Sequence, residues 1–257
     1  KHFSQIDSAT KEELVTWSKS LPNRLCPNWI SIQPTRGEPL FHAVALEPRY
    51  PIEWSLEFYD TNKNNDMETF EKLRFERSIE VFNMYKTGDT FERLTVWSQG
   101  PSTVWWHGSS DLVTQKIQEA SQQHQGQNST QATLLPRSLP GHDNYYSVIL
   151  NWRPYGEVHT ELSLSYDELV AKVDEYQSKG WRPHIVDSVL YTTPHKFLAV
   201  FVDNPRGEKW DFSPRLSISE YHQKLLEVDA NGGRPRCVYS KYSANREMFY
   251  GVVWDYP

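Results

Sequence analysis

Cysteine is nearly absent from this chain. Cys26 and Cys237 are the only two in 257 residues, and their spacing fits no zinc pattern. A basic surplus is missing as well. The formal net charge is −6 and the pI about 5.9, which excludes the cationic footprint of a nucleic-acid binder and leaves no Lys/Arg run to hold an anionic membrane surface. No stretch approaches the roughly 18 uncharged apolar residues of a membrane span. There is no initiator Met and no apolar leader, so the start Lys1-His2-Phe3-Ser4 reads as a processed or trimmed end, as removal of a secretion signal would leave it. Catalytic signatures are also lacking: no Gly-x-Ser-x-Gly elbow, no Walker loop, no Gly-x-Gly-x-x-Gly fingerprint and no His-Glu-x-x-His. Neither a cofactor nor a metal is expected. His159-Thr-Glu161 would place two ligands on one strand face, but such isolated pairs are ordinarily surface residues.

Aromatic residues are what the chain has in quantity. They make up 14 % of it, with 10 Trp and 14 Tyr, while hydrophobic residues in total reach only 38 %. A core of few but large rings follows from that balance, since each ring buries a large apolar area. The rings also recur. Phe41, Phe91, Tyr146, Phe197 and Phe249 are separated by 50, 55, 51 and 52 residues. Pro27, Pro183 and Pro235 each stand 14 residues ahead of their anchor, and Trp54, Trp105 and Trp210 follow theirs by 13 or 14. Near-constant spacing of this kind is the signature of a tandem repeat.

Each copy opens with a helix. Thr10-Lys-Glu-Glu13, Ser165-Tyr-Asp-Glu168 and Ser217-Ile-Ser-Glu220 are capping boxes, and Gly180 and Gly232 stand where helix-ending glycines belong. Strand-like runs follow, joined at Thr35-Arg-Gly-Glu38, Thr87-Gly-Asp89 and Ser243-Ala-Asn-Arg246, which suit hairpins. The expected fold is therefore α+β: five tandem αββ repeats of about 50 residues, a single repeat domain over 1–257 with copies at about 8–56, 57–106, 107–160, 161–213 and 214–257. One such unit cannot bury its own apolar face, so neighbours must stack, in a strongly curved array or a closed pseudo-fivefold ring. Cys26 and Cys237, in the first and last copies, would meet at the seam of a ring and staple it with a disulfide; two buried free thiols are the plainer alternative. The sequon Asn128-Ser129-Thr130 lies in a polar run and marks Asn128 as a glycosylation site on an exposed loop.

The last two copies resemble the bacterial tandem repeat domain type 1 family. The pattern runs through Tyr166-Asp-Glu-Leu169, Gly180-Trp-Arg-Pro183, Phe197-Leu-Ala-Val200, Trp210, Tyr221, Gly232-Gly-Arg-Pro235 and Phe249-Tyr-Gly-Val252. It covers about residues 164–254 and is weak before that. The same resemblance extends to the amino-terminal repeat half of secreted fungal polyglycine hydrolases, and it implies either a non-catalytic repeat module that works beside a separate catalytic domain or a free-standing relative of that module. The matching residues look structural, so the resemblance speaks to fold more than to function.

The function expected on these grounds is a secreted recognition module for an extracellular protein or glycan, with no nucleic acid and no membrane among its partners. The alternative is a stand-alone enzyme, a hydrolase or cofactor-free oxidoreductase, with its site on the ring axis. Two sets of residues are candidates. Trp97 and Trp152 share the position six after the anchor, where other copies carry Glu47, Asp203 and Asp255; such a mixture suggests an exposed rim. His42, Glu92, Asp187, Tyr239 and Lys241 interrupt the strand pattern with polar groups and would line an axial pocket able to do acid–base work. The periodic Trp54, Trp105 and Trp210 are read instead as locks between neighbouring copies.

Overall fold

The three capping boxes form as read: Thr10, Ser165 and Ser217 each accept from the backbone N–H three residues on, while Glu13, Glu168 and Glu220 reach back to the cap N–H. Each box contributes about 1 kcal/mol by satisfying orphan donors. Gly180 and Gly232 end their helices with φ of 78° and 75°, a left-handed conformation that Cβ-bearing residues resist. Gly88, at φ 58°, does the same for the hairpin turn after Thr87.

In the computed structural model the described residues are 2–33, 35, 37–48, 51–100, 104–123, 131–134, 137–138, 145–153, 158–190 and 194–257. Five units follow one another. The first holds β1 (Phe3–Ala9), α1 (Lys11–Ser20), β2 (Cys26–Gln33) and β3 (Leu40–Leu46); the second β4 (Trp54–Asp60), α2 (Asn64–Glu76), β5 (Ser78–Thr87) and β6 (Thr90–Ser98). The third holds β7 (Val104–Ser109), α3 (Ser110–Gln123), β8 (Gln131–Leu134), β9 (Arg137–Ser138) and β10 (Tyr145–Arg153). The fourth holds β11 (Val158–Leu164), α4 (Tyr166–Ser178), β12 (Trp181–Val189) and β13 (Lys196–Asp203); the fifth β14 (Lys209–Leu216), α5 (Ile218–Ala230), β15 (Arg234–Tyr242) and β16 (Met248–Tyr256).

This architecture corrects the expected ring of αββ units. A strand precedes every helix and pairs with the last strand of its unit, so the unit is βαββ and strand predominates over helix. The last strand is central in each sheet, as in β1-β3-β2 and β14-β16-β15, and all pairings are antiparallel. Because the early strand takes the open edge of the central strand, each ladder is completed inside its own unit. Among the described residues four three-stranded sheets and one four-stranded sheet result, kept separate, and no closed ring is found. The sheets meet through side chains instead, β12 against β15, β15 against β2, β2 against β5, and β5 against β9 and β10.

The core is aromatic, as the composition requires. One cluster runs through Phe70, Phe82 and Trp97 to Phe197, Tyr221 and Trp254; a second joins Leu14, Cys26, Ile30 and Phe41 to Tyr85 and Val96. This division undoes the expected staple. Cys26 lies in the second cluster and Cys237 in the first, and the two are buried and not joined by a disulfide. Cys237 is hydrogen-bonded to the backbone of Val186 on β12, the side away from the first unit, and burial pushes its thiol up to about 12.

A bulge interrupts the second strand of four units, between Pro27 and Trp29, Ile79 and Val81, Pro183 and Ile185, and Pro235 and Cys237. These bulges set the true register between units. Ala45, Trp97, Phe201 and Trp254 are equivalent, each opposite the residue before the bulge, and all four are fully buried. Trp97 is thus a core residue whose Nε1 donates to Tyr59 Oη at 2.9 Å, which corrects its expected place on an exposed rim.

Candidate functional site

The same register makes Ser31, Asn83, Asp187 and Tyr239 equivalent. Three of these units converge on a small void bordered by Ile32, Asn83, Asp187, Ser188, Leu190 and Leu198. Of the five residues expected in an axial pocket, Asp187 alone borders it. The other four are dispersed. Glu92 accepts from Tyr85 Oη at 2.6 Å and pairs with Lys11 at 3.0 Å. Tyr239 donates to the Pro214 carbonyl at 2.7 Å, and its ring lies on Gly251, where an added Cβ would fall 1.8 Å from Cζ. Lys241 is buried, with Nζ 3.2 Å from the Val189 carbonyl and 3.3 Å from His195 Nδ1. Burial pushes its ammonium down to about 8, although the Asp187 carboxylate pulls the other way.

His42 belongs to a different group, at the meeting of the fifth and first units. Its Nδ1 faces Asp7 Oδ1 at 3.2 Å and its Nε2 faces Tyr221 Oη at 3.1 Å. Tyr250 and Gln33 donate to the same carboxylate at 2.8 and 2.9 Å. Burial alone would raise the Asp7 carboxyl, but the hydrogen bond and charge of His42, with the donors Tyr250 and Gln33, hold it well below the usual carboxylate range. The network works as a polar zipper between the two units. Asn128 lies outside the described residues, as do the side chains of Trp152 and Trp105. Trp54 does act as a lock, its Nε1 donating to the Leu25 carbonyl at 3.0 Å.

One tetrad that sequence reading passed over is Ser8-Ala9-Thr10-Lys11, a Ser-x-x-Lys. It straddles a strand bulge and a helix cap. Ser8 Oγ donates to Asp7 and Lys11 meets both Glu92 oxygens, at 3.0 and 3.1 Å, so the two side chains are not set as nucleophile and base. His159 packs on Trp181 and Glu161 accepts from Tyr176 Oη. Among the described residues no three His, Cys, Asp or Glu side chains gather as a metal would need.

One open groove is a feature the sequence did not disclose. Trp210, equivalent to Trp54 by register, is half-buried and lines an open groove where the fourth unit meets the fifth. Tyr256 lines it too, with Gln177 from the end of α4 and Gly207, Glu208 and Lys209 from the turn into β14. Gly207 has φ 61°, which lets this turn fold back. Two aromatic faces beside an amide, a carboxylate and an ammonium are the chemistry of a polyhydroxylated ligand: rings stack on C–H faces, and the polar groups take its hydroxyls. No protein-family model matches this chain, and no curated protein matches it.

Proposed function

We propose that this protein is a secreted recognition module that binds a glycan in the groove of Trp210 and Tyr256. The carrying observation is that groove: an open depression lined by Trp210 and Tyr256 together with Gln177, Glu208 and Lys209. Of the features that pointed outside the cell, the sequon at Asn128 remains, while the unbonded cysteines lend no support. Among the described residues no helix is long and apolar enough to cross a membrane. The enzyme alternative is left with Asp187 alone beside the small void, a space too confined to seat a substrate.

The test is titration with oligosaccharides, read by calorimetry and by tryptophan fluorescence. Trp210→Ala is expected to weaken binding by about tenfold, on the order of 1 kcal/mol for one stacking ring, with an unchanged far-UV spectrum. Equal binding by wild type and variant would sink this reading.

A further inference from the structure

The groove has a basic flank. At the edge where β12 and β15 lie side by side, Arg182 and His184 face Arg234 and Arg236. Arg236 is 2.5 Å from Asp255, Arg182 is 3.0 Å from Glu208, and Arg236 Nη1 is 3.3 Å from His184 Nδ1. The Nε of Arg234 is buried without an acceptor among the described residues. Three guanidiniums therefore gather on a chain whose net charge is −6, with Glu208 and Asp255 among the groups paired to them.

Both carboxylates tie this cluster to the groove. Glu208 lines the groove and pairs with Arg182. Asp255 registers with Trp210 on one side and Arg234 on the other. The two differ in how firmly they are held. The Asp255 side chain is 11 % exposed and paired to a half-fixed arginine, while that of Glu208 is 49 % exposed and follows the Gly207 turn. Its partner Arg182, only 9 % exposed, is fixed. Glu208 thus occupies the position of a removable anion: it supplies a carboxylate to a rigid guanidinium at the groove's edge, and a ligand's acidic group can take its place in the same bidentate-capable geometry.

We infer that the ligand of this groove is an acidic saccharide, whose carboxylate or sulfate displaces Glu208 from Arg182 while its sugar rings lie on Trp210 and Tyr256. This rests on the groove being a glycan site, and it names the class of glycan. Glu208 and the ligand's acid group compete for the same Arg182 guanidinium, so the native carboxylate acts as an internal competitor.

The experiment compares three probes by calorimetry at low and high salt: an oligogalacturonide, a heparin-derived sulfated oligosaccharide and a neutral chito-oligosaccharide of the same length. Expected is at least tenfold tighter binding of one acidic probe than of the neutral one, falling as salt screens the pairing. Which acidic probe binds decides between carboxylate and sulfate. Glu208→Gln, a change at an exposed position, should tighten the acidic probe several-fold relative to the neutral one; Arg182→Gln, checked for folding by circular dichroism, should erase the preference. Equal binding of neutral and acidic probes, or no gain in Glu208→Gln, overturns the acidic assignment and leaves the glycan groove standing. Binding of none overturns both.

Discussion

Two seams of this molecule join the same kind of surfaces and come out opposite. Where the fifth unit meets the first, the contact is closed. Trp29 of β2 buries its ring and donates from Nε1 to the Val238 carbonyl on β15 at 2.8 Å, and beyond it Asp7, His42, Tyr221 and Tyr250 hold one another in a shared network. Where the fourth meets the fifth, β12 lies on β15 in the same way, but one end carries a crowd of arginines beside an open groove and the other carries the buried Lys241. One carboxylate ringed by donors makes glue; a half-exposed carboxylate on a buried guanidinium leaves a place for a ligand. The repeat supplies the geometry, and the charge balance at each seam decides whether it is joint or site.

The sharpest way to break the closed seam is Trp29→Ala. The ring is 3 % exposed, and its loss leaves a cavity and an orphaned Val238 carbonyl together. About 3–5 kcal/mol of stability should go, read as a lower midpoint in urea. A loss below about 1 kcal/mol would mean the first and fifth units are held elsewhere.

Asp7→Asn comes next. An amide cannot accept from His42, Tyr250 and Gln33 as a carboxylate does, so about 2–3 kcal/mol should be lost at pH 7. The pH dependence gives the signature. A carboxyl held below its unfolded value of 3.8 contributes stability that is full above that value and fades as pH falls through the folded one. Wild type should therefore lose its advantage over Asp7→Asn below about pH 4; a difference constant down to pH 2 would show that packing, not charge, explains the variant.

The contrast between seams also explains what the sequence made legible. Helix starts and stops were readable because capping boxes and terminal glycines act within four residues: Thr10 with Glu13, Ser165 with Glu168 and Gly180 all behave as read. The strand before each helix was not, because β4 and β14 are edge strands of mixed exposure that lack a clean alternation. Their opening tryptophans, Trp54 and Trp210, were legible as a period but not as strand starts. Register failed for a related reason. The bulge fixes it, and by that measure Arg93 stands with Phe41 and Phe197, and so does Tyr250. The aromatic anchors Phe91 and Phe249 are thus displaced, and an error of that size carries Trp97 from core to apparent rim. The arginines of Gly180-Trp-Arg-Pro183 and Gly232-Gly-Arg-Pro235 were visible as a motif, yet nothing local reveals that Arg182 and Arg234 gather at one seam, or that Glu208 reaches the first of them.

Lys241→Met tests the other end of the open seam and should have the smallest effect. Here a charge is held in the interior by a carbonyl and a histidine rather than by a hydrogen-bonded carboxylate. Its ammonium is pushed from 10.5 down to about 8, so between those values the unfolded chain binds more protons than the folded one. Stability from this group therefore rises with pH across that window and is lowest below it. A methionine of similar length removes the penalty but also the two hydrogen bonds, so the net gain at pH 7 should be on the order of 1 kcal/mol. The variant's advantage should shrink steadily from about pH 8 to about pH 10.5 as wild-type Lys241 is relieved of its charge in both states. A gap that does not move with pH would mean that Lys241 is stabilised by its surroundings as well as Asp7 is by His42, and that the two seams differ in shape alone.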